Sequence, residues 1–222
     1  KNKNIEYIII NGKSTDDTNK IIKKYKYNID RIIFEKDKGI YDAMNKGAKI
    51  SKGEYIGFCN SGDIYHSGGI KIIFNKIKNK KLDILFSTVK RNYLGATILK
   101  HGYNLKRLRY NFDFATAHST GFFYKKNFHN KIGYYNTKFK CSADYDFYLR
   151  LFSLNKLKIG KTSKNNIIGE VKKGGYSSKV TFLNHILEEA KIRINNKQNL
   201  LLIVIIFFNA VIKKILKYLT FR

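Results

Sequence analysis

The chain has no proline and no tryptophan, only two cysteines and one methionine, and just 16 Asp+Glu against 44 Lys+Arg in 222 residues. Each scarcity excludes something. Cys59 and Cys141 match no CxxC or Cys/His ligand spacing, which argues against a disulfide framework and a structural zinc site; both read as reduced, cytosolic thiols. No repeat recurs at solenoid periods. No signal peptide opens the chain, and neither does a methionine, so the sequence reads as a fragment or a processed chain. The missing proline and tryptophan, beside abundant Lys, Asn, Ile, Tyr and Phe, are the bias expected of A+T-rich coding DNA.

A formal charge of +28 suggests a polyanionic partner: nucleic acid, an anionic membrane face or phosphorylated substrates. Aromatics interleaved with cations at Tyr103, Arg107, Arg109 and Tyr110 fit a basic membrane or nucleic-acid binding module. The lysines are dispersed, however, which is the pattern of a solvated face and favours no specific nucleic acid. Because acids are few, those present are informative. Asp16, Asp17, Asp37, Asp42, Asp63, Asp144 and Asp146 fall within four short motifs.

The length fits one domain with a full core. Residues 5–10 (IEYIII) are a continuous β-branched run ended by Asn11-Gly12, the signature of a buried strand entering a loop. Ser14, Thr15 or Asp16 can cap a helix reaching Tyr25. Strands are predicted at 31–34, 54–59 and 83–89, and helices at 40–48, 69–79, 143–154 and up to about 195. Strand and helix alternate, which argues for an α/β fold with a mainly parallel sheet. A Gly-rich turn is expected at 173–178. Residues 200–212 (LLLIVIIFFNAVI) are almost wholly apolar but cover only roughly 20 Å, short of the ~30 Å hydrocarbon core. Extended to Leu219, the segment adds Lys213, Lys214 and Lys217, which suits a helix lying on an anionic membrane better than one spanning it; a core or dimer helix is the alternative.

Four motifs carry chemistry. Asn11-Gly12-Lys13-Ser14-Thr15-Asp16-Asp17-Thr18 follows a strand and precedes a helix, where α/β proteins bind ligands; a plain capping loop would look similar. The second motif, Glu35-Lys36-Asp37-Lys38-Gly39-Ile40-Tyr41-Asp42-Ala43-Met44-Asn45-Lys46-Gly47, offers a polar surface of close approach suited to a nucleotide's base, ribose and phosphates. Third comes Asn60-Ser61-Gly62-Asp63, ending a strand. A hard divalent ion needs oxygen ligands there, and Asp63 is the evident carboxylate, helped by Asn60. In Ser142-Ala143-Asp144-Tyr145-Asp146-Phe147-Tyr148-Leu149-Arg150, an acid in a helix's first turn is placed to accept a proton. Asp146 and Arg150, four apart, also read as a surface pair.

In this order the motifs resemble glycosyltransferase family 2, especially the branch of colanic acid and O-antigen enzymes. The shared elements include His118-Ser119-Thr120 before Gly121-Phe122-Phe123-Tyr124 and a G-G-x-S-S element at residues 174–178, and the likeness extends from Ile5 to about Lys191. The resemblance implies a GT-A fold, Rossmann-like, over residues 1–195; residues 196–222, by their own apolar run and lysines, read as a hydrophobic, basic helix that associates with membrane. It implies an inverting, metal-dependent enzyme (Mn²⁺ or Mg²⁺) moving a sugar from a nucleoside-diphosphate sugar, UDP-linked by expectation, to a glycolipid or polysaccharide precursor. The expected setting is the cytoplasmic face of the cell membrane, with an anionic lipid surface as partner. Asp63 matches the metal ligand and Asp144 the catalytic base. Asn11, Gly12, Ser14, Asp37, Asp42, Asn45, Lys46 and Asn60 match donor and nucleotide positions, and His118 the acceptor side. Three departures stand out: Asn11 replaces a usual acid, Asn60 and Gly62 leave one strong metal ligand, and a first strand typical of the family is not found before Lys1. Lacking that strand, two strand edges are expected to be exposed.

Overall fold

In a computed structural model, residues 4–93, 96–104, 118–172 and 180–220 are described. Arg107, Arg109 and Tyr110 and the Gly-rich element at 174–178 lie outside them.

The apolar run at the start forms β1 (Ile8–Asn11), which pairs in parallel with β2 (Arg31–Phe34), Ile8 opposite Arg31 and Asn11 opposite Phe34. Between them runs α1 (Thr18–Tyr25), begun at Asp17, whose side chain makes no cap; Asp16 Oδ1 instead accepts from the Thr18 amide at 3.1 Å. α2 (Ile40–Ile50) spaces Tyr41, Met44 and Ala48 three and four apart, and this stripe is the buried face.

A second sheet carries the strand order β3 (Tyr55–Gly57), β8 (Phe122–Lys125), β5 (Ile84–Phe86) and β9 (Ile159–Lys161). The third runs β4 (Ile64–Tyr65), β10 (Ile167–Val171), β6 (Thr88–Tyr93) and β7 (Ala96–Lys100). The helices besides α1 and α2 are α3 (Gly69–Lys80), a single turn α4 (His129–Ile132), α5 (Ala143–Phe152), α6 (Phe182–Asn195) and α7 (Leu200–Thr220).

The single strand predicted at 83–89 is two, because the chain changes sheets at Ser87: β5 pairs with β8 and β9, whereas β6 pairs with β10 and β7. The α/β layering holds, but the sheets are mixed rather than mainly parallel. β8 inserts between β3 and β5 antiparallel to both, and β6 pairs antiparallel with β7 as β10 does with β4.

The main core lies where α5 meets the second sheet. Phe86, Phe122, Tyr124, Phe147 and Tyr148 are all but fully buried, with ring centroids such as Phe122–Tyr148 at 4.7 Å. Each such ring stabilises the fold by roughly 2 kcal/mol through burial alone. α5 is buried almost all round, so Asp146 and Arg150 are not the surface pair that their spacing allowed. Asp146 is 4% exposed; its Oδ2 receives Arg150 Nη2 at 2.7 Å and Nε at 2.9 Å, and Arg150 Nη2 also donates to the Tyr134 carbonyl. The pair fastens α5 to the loop before it.

Among the described residues, β1 has β2 as its one hydrogen-bonded neighbour and β3 has β8. The edges of β1 and β3, expected to be exposed, both border one cavity of about 1450 Å³, walled by Ile8 and Ile10, by Met44 and Ala48 of α2, by Ile56, and by Ile70 and Phe74 of α3. Its polar end is the site.

Candidate active site

Asp63 sits just after the turn Asn60-Ser61-Gly62, where Gly62 has φ +88°, a backbone conformation that glycine adopts without a Cβ penalty. The turn closes with the Asp63 amide on the Asn60 carbonyl at 2.9 Å, while Asn60 Nδ2 donates to Ser119 Oγ at 2.8 Å. The Asp63 carboxylate is 4% exposed and joins three segments: Oδ2 accepts from Thr120 Oγ1 at 2.5 Å, and Oδ1 from the Lys172 amide at 2.9 Å. His118 Nδ1 lies 3.7 Å from Oδ2. Burial holds the His118 pKa below the usual histidine value; Arg91 and Lys100 lower it further, and Asp63 only partly offsets them. At neutral pH His118 is therefore a neutral imidazole, and its Nδ1 caps the 3-10 turn by accepting from the Thr120 amide at 3.4 Å.

Asp144 stands in the first turn of α5, half-buried, and lines the same cavity as Asp63, Asn60 and His118. Its Oδ1 accepts from Tyr41 Oη at 3.0 Å and from the Tyr145 amide at 2.9 Å. Tyr41 Oη is also 3.0 Å from the Cys141 carbonyl, so one phenol proton is shared between the two acceptors. Burial pushes the Asp144 carboxyl up to about 6, against the pull of its hydrogen bonds from Tyr41 and Tyr145. A carboxylate titrating there is ionised at neutral pH yet basic enough to take a proton in a transition state.

The remaining predicted residues gather at the carboxyl ends of β1 and β2. Gly12 is where it is because a Cβ there would stand 2.2 Å from Asp37 Oδ2. Asp37 Oδ1 accepts from the Gly39 amide at 3.0 Å, and Asp42 Oδ2 from the Lys38 amide at 2.9 Å. Lys46 reaches Glu35 at 2.7 Å and Asp42 at 3.4 Å, tying α2 to this loop. The buried Asn11 side chain is spent on its own loop, accepting from the Ser14 amide at 2.8 Å and donating to Asn19 Oδ1 at 2.9 Å. Asn45 departs from its expected donor position. It is buried, donates to the Tyr135 carbonyl at 2.8 Å and accepts from the Tyr135 amide at 3.0 Å, so both ends of its amide brace the fold. None of Asn11, Gly12, Asp37, Asp42, Asn45 and Lys46 lines the large cavity, whereas Asn60, Asp63, His118 and Asp144 do.

Sequence reasoning passed over Tyr41 and Thr120, the partners of the two central acids. Each lay inside a quoted motif, but Tyr41 falls on the apolar stripe of α2 and Thr120 in a short 3-10 turn, where tyrosine and threonine are ordinary. Cys59 and Cys141 are free. Among the described residues no group of three or more His, Cys, Asp or Glu side chains is gathered for a metal. Asp63 with His118 therefore forms no closed cage. It does fit an ion held by one carboxylate and completed by substrate phosphates, since each carboxylate oxygen keeps a lone pair beyond its present hydrogen bond.

The fold defined by these layers is GT-A. The S. aureus TarS 1–349 structure with UDP-GlcNAc superposes with a TM-score of 0.64 at 15% identity, over 94% of this chain and 63% of that one. The Pyrobaculum calidifontis mannosyltransferase PcManGT, solved with GDP-Man and Mn²⁺, superposes at 0.56 with 13% identity, over 86% and 53%. The chain belongs to glycosyl transferase family 2, whose profile matches residues 1–141 and so ends three positions before Asp144. Relatives include a PGL/p-HBAD biosynthesis glycosyltransferase of Mycobacterium bovis, 28% identical over 155 residues, 67% of this chain and 58% of that protein. Hyaluronan synthase of Pasteurella multocida is 28% identical over 189 residues, 81% of this chain but 19% of the synthase. The chain thus spans a little over half the length of the mycobacterial relative.

Proposed function

We propose that the chain is an inverting glycosyltransferase that moves a sugar from a nucleoside-diphosphate sugar to a hydroxyl of a glycolipid or polysaccharide precursor. The observation that carries this is one cavity lined by Asp144, pushed up to about 6, and by Asp63 and His118. Asp144 takes the proton of the acceptor hydroxyl as its oxygen bonds to carbon 1 of the sugar; the bond from carbon 1 to the diphosphate breaks, and the nucleoside diphosphate leaves. Tyr41 holds the Asp144 carboxylate in place through the 3.0 Å hydrogen bond. Mn²⁺ or Mg²⁺ would be held by Asp63, helped by Asn60, and would offset the charge of the departing diphosphate. Gly12, Ser14 and Asp37 supply the nucleotide end, shaped by Asn11, Asp42 and Lys46. Support for the donor class comes from the family and from the nucleotide-sugar complexes of structures sharing the fold. The test is thermal unfolding with a panel of nucleotide sugars. A UDP-sugar is expected to raise Tm more with Mn²⁺ than without, and no shift from any nucleotide sugar would defeat the reading.

The acceptor reading extends to the membrane. α7 is 21 residues long, and none of the described helices is long and apolar enough to cross a bilayer. One face, with Ile203 and Ile206, is buried on the α6 side. The other exposes Leu201, Val204, Ile205, Phe208, Ile212 and Ile215, with Lys213 and Lys214 exposed beside them. An apolar stripe flanked by lysines on a chain of charge +28 suits an anionic lipid surface, which supports an acceptor held at the cytoplasmic membrane face. Sedimentation with phosphatidylglycerol-containing vesicles is expected to fall at least about tenfold in the double variant Ile205→Asp, Phe208→Asp. Equal binding by both proteins, or equal binding to neutral phosphatidylcholine vesicles, would contradict it.

A further inference from the structure

Asp144 depends for its position on the four residues before it, and these have an unusual anchor. Residues 140–142 run into the N-terminus of α5, where the Ser142 side chain makes no cap. Their backbone amides are instead collected by one carboxylate from another helix. Glu188, in the middle of α6, accepts from the Lys140 amide through Oε2 at 2.8 Å, and through Oε1 from the Cys141 amide at 2.8 Å and the Ser142 amide at 2.7 Å. The Cys141 thiol adds a fourth donor at 3.3 Å. All three amide distances are those of charge-assisted bonds. A side chain more than 40 residues away in sequence thus does what a local Ser or Asp cap usually does.

We infer that Glu188 is a positioning residue for Asp144: by gathering the amides of 140–142 it sets where the first turn of α5 begins and so how the Asp144 carboxylate meets the cavity. The geometry is connected at both ends. The Cys141 carbonyl, whose amide Glu188 holds, shares the Tyr41 phenol proton with Asp144 Oδ1, so a shift of the segment disturbs the bond that orients the carboxylate. The groups facing Asp144 are Tyr41 from α2, Tyr135 and Cys141 from the preceding loop, Tyr148 on its own helix and Glu188 from α6. Of these, Glu188 is the one other carboxyl group, and it adds to the upward pull that burial exerts on Asp144. Glu188 does not itself line the cavity, so its effect passes through Asp144 and not through the donor.

The chemical role of Asp144 rests on the transferase reading; the role of Glu188 in holding it does not. The test therefore has two readouts on the 222-residue chain. Glu188→Gln keeps one acceptor oxygen for the Cys141 and Ser142 amides but turns an NH₂ group toward the Lys140 amide and removes the charge. In nucleoside-diphosphate release, Glu188→Gln is expected to lower kcat about 10- to 100-fold, leave the donor KM within about twofold, and move the acidic limb of the kcat profile to lower pH. Glu188→Asp, which keeps the charge on a shorter stem, is expected to restore the acidic limb and part of kcat. The second readout is the ¹³C titration of the Asp144 carboxyl, assigned with Asp144→Asn, whose midpoint is expected to fall in Glu188→Gln. If wild type releases no nucleoside diphosphate, the transferase reading fails, and the titration still decides the role of Glu188. An unmoved Asp144 titration with unshifted amide resonances of 140–142 in folded Glu188→Gln would overturn it. An unchanged kcat profile in an active enzyme would do the same.

Discussion

Asp144→Asn is expected to lower glycosyl transfer by about 10³-fold while making the folded chain more stable at neutral and alkaline pH. The two halves share one cause. The folded carboxyl is pushed up to about 6 by burial, above its unfolded value of about 3.9, so the folded state holds the proton longer than the unfolded state. For a group raised in this way, the associated stability is present in full below about pH 4 and is lost as pH rises through 6. Above that, wild type carries an ionised, half-buried carboxylate, and asparagine does not. Its Oδ1 still accepts from Tyr41 and the Tyr145 amide, so the neutral variant is expected to gain roughly 2 kcal/mol at pH 8 and close to nothing at pH 4. Urea unfolding at the two pH values measures the difference. Equal stability of the two proteins at both would show that the carboxyl is not raised.

Asp63→Asn is expected to be nearly as damaging to transfer, again about 10³-fold, and to abolish any added stabilisation by Mn²⁺ in the presence of a nucleotide sugar. Unlike Asp144, this residue also holds the fold. Its two oxygens join the turn after β3, the 3-10 turn before β8 and the end of β10, and removing both acceptors in Asp63→Ala leaves the Thr120 hydroxyl and the Lys172 amide without them. The alanine variant is therefore expected to lose about 2 to 4 kcal/mol of stability, and the asparagine variant less. Comparing the two separates the charge from the brace. Mn²⁺-dependent stabilisation that survives in Asp63→Asn would remove Asp63 from the metal role.

What was legible in the sequence depended on the range of the interaction. Runs such as IEYIII and the i, i+3, i+4 stripe of α2 declare themselves locally, and β2, α2 and α3 stand at or within two residues of their predicted bounds. The acids were legible for a different reason: in a chain this basic, an aspartate in a loop stands out. Sheet partners were not, because nothing in 83–89 shows that Ser87 passes the chain from one sheet to another. Partners of the acids were equally hidden. Tyr41 meets Asp144 across 103 positions and Asp63 meets the Lys172 amide across 109, and neither tyrosine nor a lysine amide has a local pattern to announce it. Asn45 misled for the opposite reason, since a polar residue in a family motif reads as a ligand although here it clamps the Tyr135 backbone.

Nucleoside-diphosphate release from a panel of UDP- and GDP-sugars, with Mn²⁺ or Mg²⁺ and a membrane extract as acceptor, tests the central claim most directly. Wild type is expected to release the diphosphate from one sugar nucleotide only when metal is present, and Asp144→Asn from the same preparation is expected to fall to about a thousandth of that rate. Release by Asp144→Asn at the wild-type rate, or none by folded wild type with any donor, would contradict it.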